Sequence, residues 1–183
     1  MARAFHLNAD GSFSALLDAD ERGLLVFLVE DVLELLAAAE PPVPADDPFE
    51  ALVAQFNEHP VHPPADPALH RLFPDAFAGD EEASAEFRRF TEAQLRTARS
   101  ARSQSLLASL RAAGDELVLT QDQAHECVQT LTDLRLVLGT RLGVSHDSDR
   151  EHDSPAHDVY DWLTWLQESL VQVLFMLPPR ETS

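Results

Sequence analysis

The sequence predicts a mainly helical domain carrying a small β-sheet, and three observations predict it. Apolar residues recur at helical spacing over long windows, above all from Leu131 to Leu142 and from Val159 to Leu177. Helix-start chemistry precedes these windows, as at Asp18 with Glu21, Asp66-Pro67, Asp80, Thr120 with Gln123, and Pro155. Strand-like patterning is confined to the N-terminus and to Glu116-Leu117-Val118-Leu119. A length of 183 residues fits one domain, 1–183, large enough to bury a sizeable core.

Residues 4–17 read as a hairpin. Phe5 and Leu7 alternate with His6, Asn8-Ala9-Asp10-Gly11 supplies the turn, and Phe13 lies on the return. The first helix follows Asp18, with Leu24, Leu25, Phe27, Leu28, Val32, Leu35 and Leu36 on its apolar face, and ends before Pro41-Pro42. From Pro41 to Asp80 the proline content predicts a loop carrying short helices. One starts at Asp47-Pro48 and one at Asp66-Pro67, the second bearing Leu69, Leu72 and Phe73.

Asp80 opens a long helix. Phe87 and Phe90, with Ala83 and Ala98, are its expected buried side, and Arg88, Arg89, Arg96, Arg99 and Arg102 its expected outer side. Leu106, Leu107 and Leu110 are out of phase with those phenylalanines, so a kink or break between residues 100 and 105 is expected. Glu116 to Leu119 then forms a strand that pairs with the N-terminal hairpin.

The next helix begins at a Thr120–Gln123 capping box and is the expected centre of the fold. Leu131, Leu134, Leu138 and Leu142 share one face, widened by Leu136 and Val137. Gly139 inside that pattern costs about 1 kcal/mol relative to alanine, so a close approach of a neighbouring backbone is expected there. Gly143 suits the left-handed position past the helix end, with Arg141 in the last turn. An acidic loop from Ser145 to Ser154 leads into the final helix. Its face of Trp162, Leu163, Leu166, Leu170, Val173 and Leu174 is extended by Val171, Phe175 and Met176. A helix that apolar is either wrapped by its own chain or shared with a second subunit, and a homodimer through Val171, Phe175 and Met176 is expected.

Composition excludes several functions. A net charge of -19 opposes nucleic-acid and anionic-membrane binding. The 13 basic residues are all arginine, which a GC-rich genome accounts for most simply. The lone Cys127 rules out an internal disulfide and reads as a core residue. The N-terminus lacks a signal-peptide run, and Asp161, Gln167, Glu168 and Gln172 interrupt the most apolar segment, so a cytoplasmic protein without a membrane span is expected.

The stretch LTDLRLVLGTRLGV (131–144) and the later YDWLTWLQESL (160–170) resemble an actinobacterial family of unknown function, commonly encoded beside the adaptor of the Clp protease. The resemblance runs the whole chain. It implies a cytoplasmic bacterial protein linked to regulated proteolysis, and it carries over no catalytic residue.

Candidate sites are few. His146, His152 and His157 with Asp147, Asp149 and Asp153 have metal-ligand chemistry but no structural-zinc spacing, and a solvated acidic loop is the plainer reading. His125 and Cys127 stand two apart on a helix and point away from each other. His59 and His62 lie among prolines. Asp158 and Asp161 share a helix face, where first-turn carboxylates serve the dipole. Phosphate-loop, nucleophile-elbow and zincin motifs are missing. The interaction candidates are Arg88, Arg89, Arg96 and Arg99, then Arg135, then Val171, Phe175 and Met176. Arg135 shares the side of Leu131, Leu138 and Leu142 and is expected to be partly buried against a carboxylate, Glu168 or Asp161. The sequence thus reads as a non-enzymatic interaction protein with no catalytic, cofactor or metal residues, partnered by proteins of the Clp system. A metal-dependent hydrolase using the His146–His157 loop and a DNA-binding regulator using the arginine band are the alternatives.

Overall fold

The computed structural model describes residues 4–38, 63–144 and 154–176. Within them lie β1 (His6–Leu7), β2 (Phe13–Leu16), α1 (Ala19–Ala38), α2 (Pro67–Leu72), α3 (Glu81–Ala112), β3 (Glu116–Leu119), α4 (Gln121–Arg141) and α5 (Pro155–Phe175). The fold is mainly helical with one small sheet. The expected short helix after Asp47 and the loop holding His146 and His152 fall outside the described residues.

The sheet has the order β1-β2-β3 and is antiparallel throughout. Phe13 pairs with Leu119 and Ala15 with Leu117, so these four side chains form its buried face. Phe5 anchors the hairpin by donating its N–H to Ser169 Oγ of α5 at 3.2 Å.

The start signals act as read. Asp18 Oδ1 accepts from the N–H groups of Asp20 and Glu21, and the Glu21 carboxylate accepts from the Asp18 N–H. Asp66 caps α2, Asp80 caps α3, and Thr120 with Gln123 forms the full capping box of α4. Helix α4 ends with Gly143 at φ +70°, and Val144 N–H returns to Gly139 O at 2.9 Å. Arg141 in that last turn pairs with Asp31 at 2.9 Å.

Helix α4 is the centre of the fold, packed by α1, α2, α3, α5 and β3. Leu25, Val29, Val32 and Leu36 form a narrower stripe on α1 than expected, and Phe27 is exposed because it falls outside that stripe. Leu163, Leu166, Leu170 and Val173 of α5 complete the core.

Helix α3 overturns two expectations together. It runs unbroken for 32 residues, with no break between residues 100 and 105. Phe87 and Phe90 are 46% and 66% exposed, whereas Arg88 and Arg96 are 6% and 4% exposed. The inward stripe is Ser84, Arg88, Glu92, Arg96, Arg99, Ser103, Leu106 and Leu110, at helical spacing throughout. Leu106 and Leu110 are therefore in phase with the arginines. A kink was needed only to bring them into line with the phenylalanines.

Candidate functional site

The arginines expected on the outside of α3 build its innermost polar centre. Arg88 pairs with Asp75 and places Nε 3.6 Å from Glu92 Oε2. Glu92 Oε1 accepts from Arg96 Nη2 at 2.5 Å, one turn on. The other end of the Arg96 fork donates to Leu36 O at 2.8 Å, in the last turn of α1. That turn has no basic residue of its own, so Arg96 supplies the cation its carbonyls favour. Arg99 does the same for α2, donating to Leu72 O at 3.0 Å. Both guanidinium groups stack on Phe73, at 4.9 Å for Arg96 and 5.4 Å for Arg99.

Asp133 of α4 closes the centre and is 3% exposed. Its Oδ1 accepts from Arg99, and Oδ2 has Arg102 as a charged neighbour at 3.7 Å, too long for a hydrogen bond. Three arginines, Arg96, Arg99 and Arg102, thus sew the C-terminal ends of α1 and α2 to α3 and α4, while Arg88 ties down Asp75 in the segment after α2. Buried ion pairs of this kind seldom add net stability over an apolar core, but they fix which helix face meets which. Arg89 is the exposed member of the band, its guanidinium 4.8 Å from the Phe90 ring centre.

A second polar centre lies between α4 and α5. Arg135 is partly buried, as expected, but its partners are neutral. Nη1 donates to Gln167 Oε1 at 2.7 Å, Nη2 lies 3.4 Å from the Tyr160 hydroxyl, and the guanidinium sits 5.2 Å from the Tyr160 ring centre. Glu168 and Asp161 are exposed and turned from this seam, which is why the expected carboxylate contact fails. Gln167 bridges on to Val128 O at 3.2 Å and Thr132 Oγ1 at 2.7 Å. Gly139 belongs to the same seam. A side chain there would start 3.2 Å from Tyr160 Cε2, so the close neighbour is an aromatic ring and not a backbone.

The remaining candidates are scattered. Phe175 and Met176 are 86% and 77% exposed at the end of α5, while Val171 is half-buried. His157 sits in the first turn of α5 with Nδ1 3.1 Å from Ser154 Oγ. Among the described residues no three His, Cys, Asp or Glu side chains converge as metal ligands would. His125 binds the Gln121 carbonyl of its own helix at 2.8 Å. Cys127 is buried, and burial pushes its thiol up to about 12. No helix among the described residues is long and apolar enough to cross a membrane.

The residues that the sequence reading missed are Asp133 and Glu92, and Phe73 was read only as an apolar residue of the short helix after Asp66. Asp133 carried a signal: Thr130, Asp133 and Val137 lie at i, i+3, i+7, so a carboxylate occupies a stripe of a helix expected to be surrounded. Such a group needs cations opposite, and α3 holds them in register.

A helical fold on a three-stranded sheet, locked by arginines buried against one central helix, is thus the molecule to be placed. The chain belongs to a family described as a domain of unknown function, DUF2017, whose profile matches residues 2–174. It is 32% identical to proteins of Mycobacterium tuberculosis and Mycobacterium bovis named oxidative stress regulator AosR, with 88% of this chain and 82% of theirs covered. A Mycobacterium leprae protein named putative oxidative stress regulator AosR is 30% identical over the same shares. No solved structure matches the chain.

Proposed function

We propose that this protein is a non-enzymatic cytoplasmic regulator that takes part in the response to oxidants through contacts with other proteins. The observation that carries this reading is the similarity to the regulators of the two mycobacteria, spread over 88% of the chain. The use of polar groups supports it. The arginines and Asp133 hold helices in register, and Arg135 is bound within the α4–α5 seam. The arginine band serves the interior rather than a nucleic acid, consistent with a net charge of -19.

The chemistry of Cys127 narrows how an oxidant signal reaches the protein. Thiol oxidation proceeds through the thiolate, and a buried thiol with its pKa near 12 holds almost none at neutral pH. With one cysteine, two sulfurs of this chain cannot pair internally. Cys127 is therefore not the group through which an oxidant acts on the folded protein, and a partner is the carrier of the signal in this reading. The link to Clp-type proteolysis, implied by the family resemblance, is the finer form of the reading, with a Clp component as that partner.

Deletion of the coding sequence tests it, with transcripts and survival compared before and after peroxide. Loss of a defined part of the peroxide response, restored by the intact chain, is expected. An unchanged response removes the regulator. Pulse-chase half-lives of Clp substrates in the same strains test the finer form, and unchanged half-lives remove it alone.

A further inference from the structure

The solvent side of α3 differs from what an acidic protein normally shows. Every exposed position from Phe90 to Ala108 is uncharged, in a chain with 25% charged residues and a net charge of -19. An ordinary surface helix places its charges outward. Here Arg96, Arg99 and Arg102 turn in, and alanine, glutamine, threonine, Leu95 and Phe90 turn out. We propose that this face is the seam of a homodimer, with α3 packed antiparallel against α3 of a second copy about a two-fold axis beside Thr97 and Ala98. The inference goes beyond the regulator reading and does not depend on it.

Charge selects a second copy as the occupant. Two chains of this charge repel, and a two-fold contact sets each patch against its own like charges. The uncharged stripe lets them meet without taking carboxylates out of water. Helix α5 is worse placed, because Asp161 and Glu168 stand exposed along the helix that ends in Phe175 and Met176.

Shape selects the antiparallel arrangement. With the axis beside Thr97 and Ala98, Phe90 of one copy faces the exposed Ala101, Gln104 and Ala108 of the other. Those three have the i, i+3, i+7 spacing of one helix face, and the Ser105 hydroxyl, turned to Glu126 at 2.8 Å, leaves the space between them open to a knob. The large residues of the face lie toward its N-terminal end and the small ones toward its C-terminal end. Only an antiparallel pair sets large against small twice.

The ends agree. Glu82, Glu86 and Arg111 share one flank of the face. Two-fold pairing brings Arg111 of each copy to Glu82 and Glu86 of the other. The Arg111 side chain is 60% exposed and binds Glu30 at 2.5 Å through one nitrogen, which leaves donors directed outward.

Sedimentation equilibrium of the full chain, with and without single substitutions, tests the seam. The unaltered chain is expected to be a dimer at micromolar concentration. Ala98→Glu should raise the dimer dissociation constant roughly 100-fold or more, by facing two desolvated carboxylates across the axis, with helical content unchanged by circular dichroism. Ala98→Cys should form a disulfide-linked dimer under mild oxidation, Cys127 being buried. Ala108→Cys, roughly 15 Å along the helix from the axis, should not. A monomer at every concentration, or a dimer indifferent to Ala98→Glu, overturns the proposal. So does cross-linking at Ala108→Cys without Ala98→Cys, or a dimer dissociated by Phe175→Glu alone, which would move the contact to α5.

Discussion

Replacing Asp133 with asparagine removes the carboxylate that both Arg99 and Arg102 address, while keeping size and shape. Its side chain is 4% exposed and those of the two arginines 21% each, so the pairs lie largely out of water. Removing one member of a buried pair typically costs about 3–5 kcal/mol, because the stranded charge keeps its desolvation penalty. Two features reduce the figure here. The residual exposure of the arginines lets water reach them, and Arg99 retains the Leu72 carbonyl and the Phe73 ring. The low end, about 3 kcal/mol, is therefore expected. At roughly 2–4 °C per kcal/mol for a protein of this size, melting should fall by about 6–12 °C. Urea unfolding followed by far-ultraviolet circular dichroism measures it. Combining Asp133→Leu with Arg99→Leu and Arg102→Met should recover much of the loss, since an apolar replacement strands no charge. A loss for Asp133→Asn below about 0.5 kcal/mol, the range of ordinary surface changes, would refute the account of a buried lock.

Three further outcomes follow from the same geometry. Gly139→Leu must displace the Tyr160 ring, and a cost of about 1–3 kcal/mol is expected in the same urea assay; a variant as stable as the parent would mean the ring gives way freely. Arg135→Met should cost only about 1–2 kcal/mol, the sum of a cation–π contact and hydrogen bonds to neutral groups. A larger loss would reveal a carboxylate partner. For Cys127, the folded thiol pKa of about 12 exceeds its unfolded value of 9.0. Its contribution is therefore complete below pH 9.0 and lost as pH rises toward 12. At about pH 10.5 that loss is roughly 2 kcal/mol, seen as a steeper alkaline fall in unfolding free energy than Cys127→Ala shows. Equal slopes would mean that the native thiol ionises readily.

Much of the fold was legible because its signals are local. Caps, prolines and the 2- and 3.6-residue periods act within a few residues, so the hairpin, the third strand, the short helix after Asp66 and the central helix were all read correctly. What failed was the facing of α3, and the failure has a cause. Sorting residues into apolar and charged assigns Phe90 to the core and Arg96 to water. That rule breaks when the element opposite carries Asp133 and the carbonyl ends of two helices, which only the tertiary fold brings together. The site at Arg135 was half legible for a related reason. Partial burial follows from its place on the helix, but its partner depends on the rotation of α5, which presents Gln167 and Tyr160 and turns Glu168 outward.

The all-arginine composition takes on a different meaning at these positions than elsewhere. A GC-rich genome explains arginine at exposed Arg89, which makes no ion pair among the described residues. It does not explain Arg96, which must reach Leu36 O with one nitrogen, Glu92 with another, and hold its guanidinium carbon over the Phe73 ring. An ammonium is a single point of charge and cannot meet three partners in three directions while stacking on a ring. Arg99 meets the same demand from Asp133, Leu72 O and Phe73. The interior of this protein therefore requires arginine on geometric grounds. The uncharged outer stretch of α3 from Phe90 to Ala108 is the other side of that requirement, because the cations of that stretch, Arg96, Arg99 and Arg102, are needed inside.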